Sequence, residues 1–256
     1  MKGFITNHKL LSGASIVGLI LIWHSAAWLL NEPLILPSPG VALLNLLILS
    51  GTRDFWQHIG TTLGRGLIAF GLSFFIAIVI GIAAGKSKSM DVLLRPFLVC
   101  LRSTPSMSFI ILALLWFRGG NVSLFVITLA VLPVLIQNII EGTRSIDPEL
   151  REMAILYQVK KSRLLWKLYL PSMLPFLAAG VSSGLGLTWK VSIAAEVLAY
   201  PTWGMGTQMD TARIYLQTEK VFAWTLAVIT IGLIFDYLAE YLLRRPFAVW
   251  KGTKDV

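Results

Sequence analysis

Six stretches of this chain are apolar at nearly every position, and one stretch between the fourth and the fifth breaks the pattern. A hydrocarbon core about 30 Å thick needs about 20 apolar residues in helix to cross it. Residues 10–30, 59–84, 97–117, 122–140, 173–199 and 221–243 meet that requirement. Residues 147–171 do not: they are charged, basic and periodic. Asp147 is placed to cap a helix that starts at Pro148, a position where a missing N–H costs nothing. Leu150, Met153, Ala154 and Tyr157 then recur at i, i+3, i+4 and i+7, which makes one apolar face. Ser162 is placed to cap a second short helix carrying Leu164, Leu165, Leu168 and Tyr169, and Pro171 precedes the next apolar run. An amphipathic hairpin between membrane spans predicts a docking surface. A solvated loop helix has the same periodicity, and the pattern alone leaves both readings open.

The connections follow from Gly, Pro and polar clusters. Leu36-Pro37-Ser38-Pro39-Gly40 breaks the chain after the first span, and the segment then runs through Trp56 and His58 into the second. Residues 86–91 form a polar turn, and Arg118-Gly119-Gly120-Asn121 a tight one. A longer outer segment, residues 200–220, holds Trp203-Gly204-Met205-Gly206. Gly60/Gly64, Gly81/Gly85 and Gly180/Gly184 sit at the spacing that lets helix backbones approach closely, within the chain first and between subunits second. Trp28, Trp56, Trp116, Trp203 and Trp224 are expected near the outer interface, with Trp166 and Trp250 near the inner one.

Composition agrees. The chain is 56% hydrophobic and 14% charged with a mean hydropathy of +0.75, against about 25% charged residues in soluble domains. This predicts a multi-span helical membrane protein with no room for a separate soluble domain. With the amino terminus in the cytoplasm, only Arg53, Arg118, Arg213 and Lys220 fall outside, and Arg65, Arg102 and Lys190 fall within spans. Every other Lys and Arg is cytoplasmic, so the positive-inside rule puts both termini there. The net charge of +9 then reflects topology and anionic lipid rather than nucleic acid. The first span is longer than the core of a secretory signal, about 7–15 residues, and is expected to be retained. The single Cys100 lies in a span and supports neither a disulfide nor a metal cluster.

Candidate chemistry is sparse. The run from Gly81 through Gly85-Lys86-Ser87 falls one residue short of the phosphate-loop spacing and ends a helix where that motif should open one. His8, His24 and His58 are scattered, with no ligand pair and no His–carboxylate arrangement. Polar groups inside spans carry more weight, since each is costly in hydrocarbon. The third span contributes Arg102, Ser103, Thr104, Pro105, Ser106 and Ser108, where Pro105 loosens the helical ladder and hydroxyls can bond the freed carbonyls. The fourth contributes Gln137 and Asn138. The fifth contributes Ser182, Ser183, Thr188, Lys190, Ser192 and Glu196; six positions separate the last lysine and the glutamate, so they are poor partners. A polar pathway and structural hydrogen bonding both fit this set. For Arg65 and Arg102 taken singly, anchoring is the expected role.

Several of these segments together resemble the membrane subunits of ATP-binding-cassette importers, and most closely the permeases of the nitrate, taurine and aliphatic sulfonate group. Leu36-Pro37-Ser38-Pro39 stands at that group's outer Pro-Ser-Pro turn. Thr62-Leu63-Gly64-Arg65-Gly66 through Phe70-Gly71 is similar to the start of its permease core. Leu101-Arg102-Ser103-Thr104-Pro105 resembles its R-S-x-P element, and Leu114-Leu115-Trp116-Phe117-Arg118-Gly119-Gly120 its W-F-G-x-G stretch. Glu152-Met153-Ala154 followed by Leu170-Pro171 looks like the E-A-A…G…L-P loop that engages the ATPase, and Trp189 to Glu196 like the W-x-x-x-V-A-A-E element. Gln158 departs from the family glycine between the two short helices, which questions the sharpness of that turn. Arg118 likewise replaces a glycine.

The resemblance implies an all-α permease fold of the type I importer kind, with six transmembrane helices and cytoplasmic coupling helices. Residues 1–58 would form the first helix and outer segment, 59–243 the permease core with its hairpin at 147–171, and 244–256 a cytoplasmic tail. It implies ATPase coupling through Glu152, Met153, Ala154, Tyr157, Gln158, Leu170 and Pro171. It also implies a translocation path near Arg102, Ser103, Thr104, Ser182, Ser183, Ser192 and Glu196. The partners would be two ABC ATPase subunits, a second permease copy as a homodimer, an extracytoplasmic solute-binding protein and the bilayer, with no nucleic acid. ATP would be used by the partner ATPase and no cofactor bound by this chain. The cargo would be a small anion such as a sulfonate, taurine or nitrate. A self-sufficient channel or secondary transporter, with Lys190, Glu196 and Asp236 as coupling charges, is the alternative.

Overall fold

A computed structural model describes residues 2–239 and Tyr241. The expected tail at 244–256, with Arg244, Arg245, Trp250, Lys251 and Lys254, lies outside the described residues. The described chain is helical throughout: α1 (Lys2–Leu30), α2 (Pro39–Ser50), α3 (Arg53–Lys86), α4 (Lys88–Ser103), α5 (Ser106–Trp116), α6 (Gly120–Arg144), α7 (Pro148–Leu156), α8 (Lys161–Leu164), a π-helical turn (Leu165–Tyr169), α9 (Leu170–Ala199), α10 (Met205–Ile214) and α11 (Thr218–Ala239). Polar caps start several of them. Ser38 accepts from Val41 N–H before Pro39 opens α2, Thr52 accepts from Phe55 N–H at α3, and Ser87 accepts from Met90 N–H at α4. Each supplies an acceptor for an N–H that the helix itself leaves orphaned.

Among the described residues, five helices are long and apolar enough to cross a bilayer, and a sixth crossing exists if α4 and α5 count as one. That pair corrects the third predicted span, which is not one straight helix. It bends by 94° between Ser103 and Ser106. Thr104 is extended (φ −74°, ψ 124°) because the residue before a proline is pushed out of the helical region, and Pro105 has no N–H to continue the ladder. The proposed division at residue 58 also falls inside a helix, since α3 begins at Arg53.

The core is built on α6, which packs between α3 and α9. Val126, Ile127, Val131, Leu135, Ile136, Ile139 and Ile140 are all buried. Two of the glycine pairs make this possible. A Cβ on Gly81 would meet Ile139 at 2.7 Å, one on Gly85 would meet Thr143 at 2.5 Å, and one on Gly180 would meet Asn138 at 3.0 Å. Gly81/Gly85 and Gly180/Gly184 thus serve packing within the chain, whereas Gly60 and Gly64 have open space above them. A second apolar cluster joins Phe55, Ile59, Trp189, Met205 and Trp224 at the other end. Trp224 is therefore a core residue, buried against Phe55 at 4.9 Å, and not part of an aromatic belt. α1 is exposed along almost its whole apolar window.

Candidate functional site

The charged segment folds into a short helix followed by a turn and a long helix. Glu149 N–H donates to Asp147 Oδ1 (2.9 Å), and Pro148 takes the first helical position, as expected. α7 ends in a Schellman turn: Val159 N–H donates to Ala154 O (2.9 Å) and Gln158 N–H to Ile155 O (3.0 Å). Gln158 supplies the left-handed residue (φ 50°). The sharp turn survives without glycine, at the steric cost a side chain carries in that conformation.

The second arm differs from its expected form. Ser162 does not cap it; α8 begins two residues earlier than that cap would require, with Lys160 in the cap position and no side-chain bond. Nor is it a separate helix. α8, the π turn and α9 run continuously from Lys161 to Ala199, 39 residues, or about 58 Å at 1.5 Å per residue. A bilayer with its headgroups measures about 40–45 Å, so this helix is longer than an upright crossing needs. The π turn just precedes Pro171, whose ring would otherwise press on a carbonyl four residues back. The hairpin is thus joined rigidly to a membrane span.

No residue of α7 is buried. Met153, Leu156 and Tyr157 are 51%, 79% and 75% exposed, and Glu152 is exposed beside them. Ala154 and Gln158 line a cavity inside the hairpin with Lys86 of α3. Leu170 and Pro171 are half-buried at the base of α9.

At the far end of α9, several of the sequence elements converge on Glu196. Its carboxylate is fully buried. It accepts from Arg65 Nη1 at 2.6 Å, from Thr62 Oγ1 at 2.9 Å and from Gly206 N–H at 3.0 Å. Thr62 Oγ1 in turn accepts from Met205 N–H (3.0 Å), Arg65 Nη2 donates to Trp203 O, and Gly204 N–H donates to His58 Nδ1 (3.0 Å). The carboxylate therefore sits at the amino end of α10, where free N–H groups and the helix dipole favour an anion. Glycines admit it: a Cβ on Gly204 would lie 2.7 Å from Glu196 Cδ, and one on Gly206 would lie 2.5 Å from Ile193 O. Gly120 does the same for Arg65, whose Nε would be 2.7 Å from an added Cβ. Arg65 is an anchor, as expected, and Lys190 and Glu196 are not partners. His58, Thr62 and Gly204 were not singled out for this role from the sequence. The available signal was spacing, since His58, Thr62 and Arg65 stand at i, i+4 and i+7 on one face of α3.

The expected path residues do not share one surface. Ser103 Oγ donates to Val99 O, and Thr104 Oγ1 to Cys100 O (2.8 Å), so both hydroxyls satisfy carbonyls at the bend. Arg102 is exposed on α4 and lines a cavity of about 360 Å³ with Arg95 and Gln137. Ser182 is half-buried and Ser183 exposed. Ser192 and Glu196 are enclosed, and Ser192 Oγ has no hydrogen-bond partner. Lys190 is exposed, seven residues from Ser183 and on the same helix face. A lysine on an uncovered face within a span is costly against lipid.

Architecture and site define a multi-pass membrane protein whose longest helix, running from Lys161 to Ala199, carries an exposed hairpin at one end. The chain resembles one subunit of the methionine ABC transporter MetNI in an inward-facing form, with a TM-score of 0.54 over 80% of this chain and 95% of that one at 16% identity. The fold is that of a type I ABC importer permease. The chain belongs to the family of binding-protein-dependent transport system inner membrane components, which residues 73–247 match. It is 29% identical to the taurine transport permease protein TauC of Escherichia coli, covering 97% of this chain and 92% of that one. It is 32% identical to the aliphatic sulfonates transport permease protein SsuC of Bacillus subtilis (93% and 86%), and 30% identical to the bicarbonate transport permease protein CmpB of Synechococcus elongatus (92% and 88%). It is accordingly a multi-pass component of the inner membrane.

Proposed function

We propose that this chain is the permease subunit of an ATP-driven importer for a small anion, of the sulfonate, taurine or bicarbonate kind that its relatives are named for. Two copies pair around a central path, two ABC ATPase subunits dock on the hairpins, and an extracytoplasmic binding protein delivers the cargo. ATP is hydrolysed by the partner subunits, and this chain binds no cofactor. Both termini face the cytoplasm.

The observation that carries this reading is the mechanical continuity of the hairpin. An amphipathic α7 with no buried residue is tied by a closed turn to a helix that runs uninterrupted into the membrane. Glu152, Met153, Leu156 and Tyr157 give a partner its grip, while Ala154, Gln158, Leu170 and Pro171 shape the turn and its base. Closure of two ATPases displaces the hairpins and tilts α9, because a helix transmits force along its axis better than a loop does. The exposed face of α9 with Ser183 and Lys190 supports a path or a second copy beside it, since it is poorly suited to lipid. Ser182 stands beside Ser183 on α9, and Arg102, Ser103 and Thr104 at the α4–α5 bend are the other candidates. Ser192 and Glu196 act from behind that face.

The test is uptake of labelled taurine and an alkanesulfonate into proteoliposomes holding the permease, its ATPase and its binding protein. Uptake should require ATP and the ATPase. Met153→Asp combined with Tyr157→Asp should leave the folded chain intact and abolish uptake and ATPase co-purification. Uptake by the permease alone would instead establish a secondary transporter.

A further inference from the structure

Three adjoining hollows lie where α3, α6 and α9 reach the same end of the bundle as the hairpin. A cavity of about 520 Å³ is lined by Lys86, Arg151 and Lys161. A second, of about 300 Å³, again includes Lys86 and Arg151. A third, of about 210 Å³, is walled almost wholly by aliphatic side chains, among them Ile78, Ile82, Met173 and Leu177. Lys86 and Tyr169 line all three. The hollows therefore grade from cationic to apolar along the direction of the helices.

No carboxylate among the described residues lines the three hollows. Among the described residues, the ion pairs to acids use Arg65, Arg144 and Arg213, none of which borders these hollows. Lys86, Arg151 and Lys161 are exposed, so their charges border a space without a countercharge among the described residues. Lys86 closes α3 at its last residue, and the aliphatic wall at Ile82 and Ile78 lies one and two turns deeper in the same helix. A leaflet has the same order, with phosphate outermost and acyl chain beneath. Tyr169, with an apolar ring and a polar hydroxyl, suits the boundary between them.

We propose that this face binds one anionic phospholipid, its phosphate group among Lys86, Arg151 and Lys161 and one acyl chain in the cleft of Ile78, Ile82, Met173 and Leu177. The site goes beyond the transport reading. It asks only that these helices cross a bilayer, not that an ATPase docks on α7. Its occupant would fill the space between the hairpin and the base of α3, and so fix the angle at which the hairpin stands.

The experiment uses the full-length chain purified in a neutral detergent. It is titrated with phosphatidylglycerol, with phosphatidylcholine of the same acyl chains, and with inorganic phosphate, and bound lipid is counted by native mass spectrometry. One phosphatidylglycerol should be retained per chain, bound at least about tenfold more tightly than phosphatidylcholine, as several cations near one anionic headgroup imply. Arg151→Gln with Lys161→Gln should weaken phosphatidylglycerol about thirtyfold, the effect of two such cations. Both side chains are exposed, so folding is not at stake. Ile82→Trp, or the milder Leu177→Phe, should fill the cleft and weaken the lipid while leaving phosphate unaffected. Equal retention of the two lipids, or unchanged retention in the double variant, overturns the proposal. So does displacement by millimolar phosphate with no effect of the cleft substitutions, which would mean a simple anion pocket.

Discussion

The two ends of α9 are built in opposite ways from similar residues. At the end near Ala199, a glutamate, an arginine, a threonine and a histidine are drawn together, and most of their polar atoms face a partner. At the end near Lys161, lysines and arginines stand around an open cavity with no acid among its described lining residues, and α7 leaves all its apolar side chains but the half-buried Ala154 exposed. The first end has spent its interactions inside the chain. The second holds them available for something else. A buried charge left unpaired is strongly destabilising, whereas an exposed one costs little. One end is therefore intolerant of change for reasons of stability, and the other can vary in function with almost none.

That contrast can be broken or sharpened by measuring thermal unfolding of the detergent-solubilised chain. The largest loss should follow Glu196→Ala, about 3–5 kcal/mol, because Arg65 would keep its charge in a partly buried site without a partner. Arg65→Ala with Glu196→Ala should cost clearly less than the sum of the two single changes, as coupled residues do. Simple additivity would mean that the pair does not act as a unit.

Gly206→Ala should come next, at about 1–3 kcal/mol, since its Cβ must displace Ile193 O or Glu196. A neutral result would show that α10 can move away from α9 freely, and the two ends would then differ less than their geometry implies.

Changes at the hairpin should be small and of either sign. Gln158→Gly should raise local stability by up to about 1 kcal/mol by removing a side chain from a left-handed position, read as slower amide exchange across residues 150–160. Leu156→Ser should shift unfolding by no more than about 0.5 kcal/mol, as usual for an exposed site. A larger loss would mean that α7 packs on this chain and is not a free surface.

Much of the architecture was legible in the chain because bilayer-spanning segments obey a length rule that needs no partner. Asp147 and Pro148 likewise announced a helix start through local chemistry alone. The Pro105 bend was half legible: the proline signalled a loosened ladder, but its 94° turn depends on where α4 and α5 pack. α2 and α10 were missed as helices. α2 is too short to span, and α10 contains Gly206, Thr207 and Asp210, which read as loop until Glu196 is placed at its start. Ser162 was misread as a cap because the signal for a helix start cannot reveal that the following helix continues unbroken into the span.

By itself, then, the sequence determined that this is a multi-span helical membrane protein with one amphipathic segment that does not belong in lipid. Periodicity and capping are local and survive without the rest of the chain. Only the tertiary structure decided that Arg65, Gly120, Glu196 and Gly206, up to 141 positions apart by their numbering, form one enclosed site. It also decided that Gly81/Gly85 serve an internal contact while Gly60/Gly64 do not, and that the second arm of the hairpin is the end of a membrane-spanning helix instead of a separate short one. Those outcomes turn on which helix faces meet, and each is fixed by close approach across long sequence separations that no local pattern encodes.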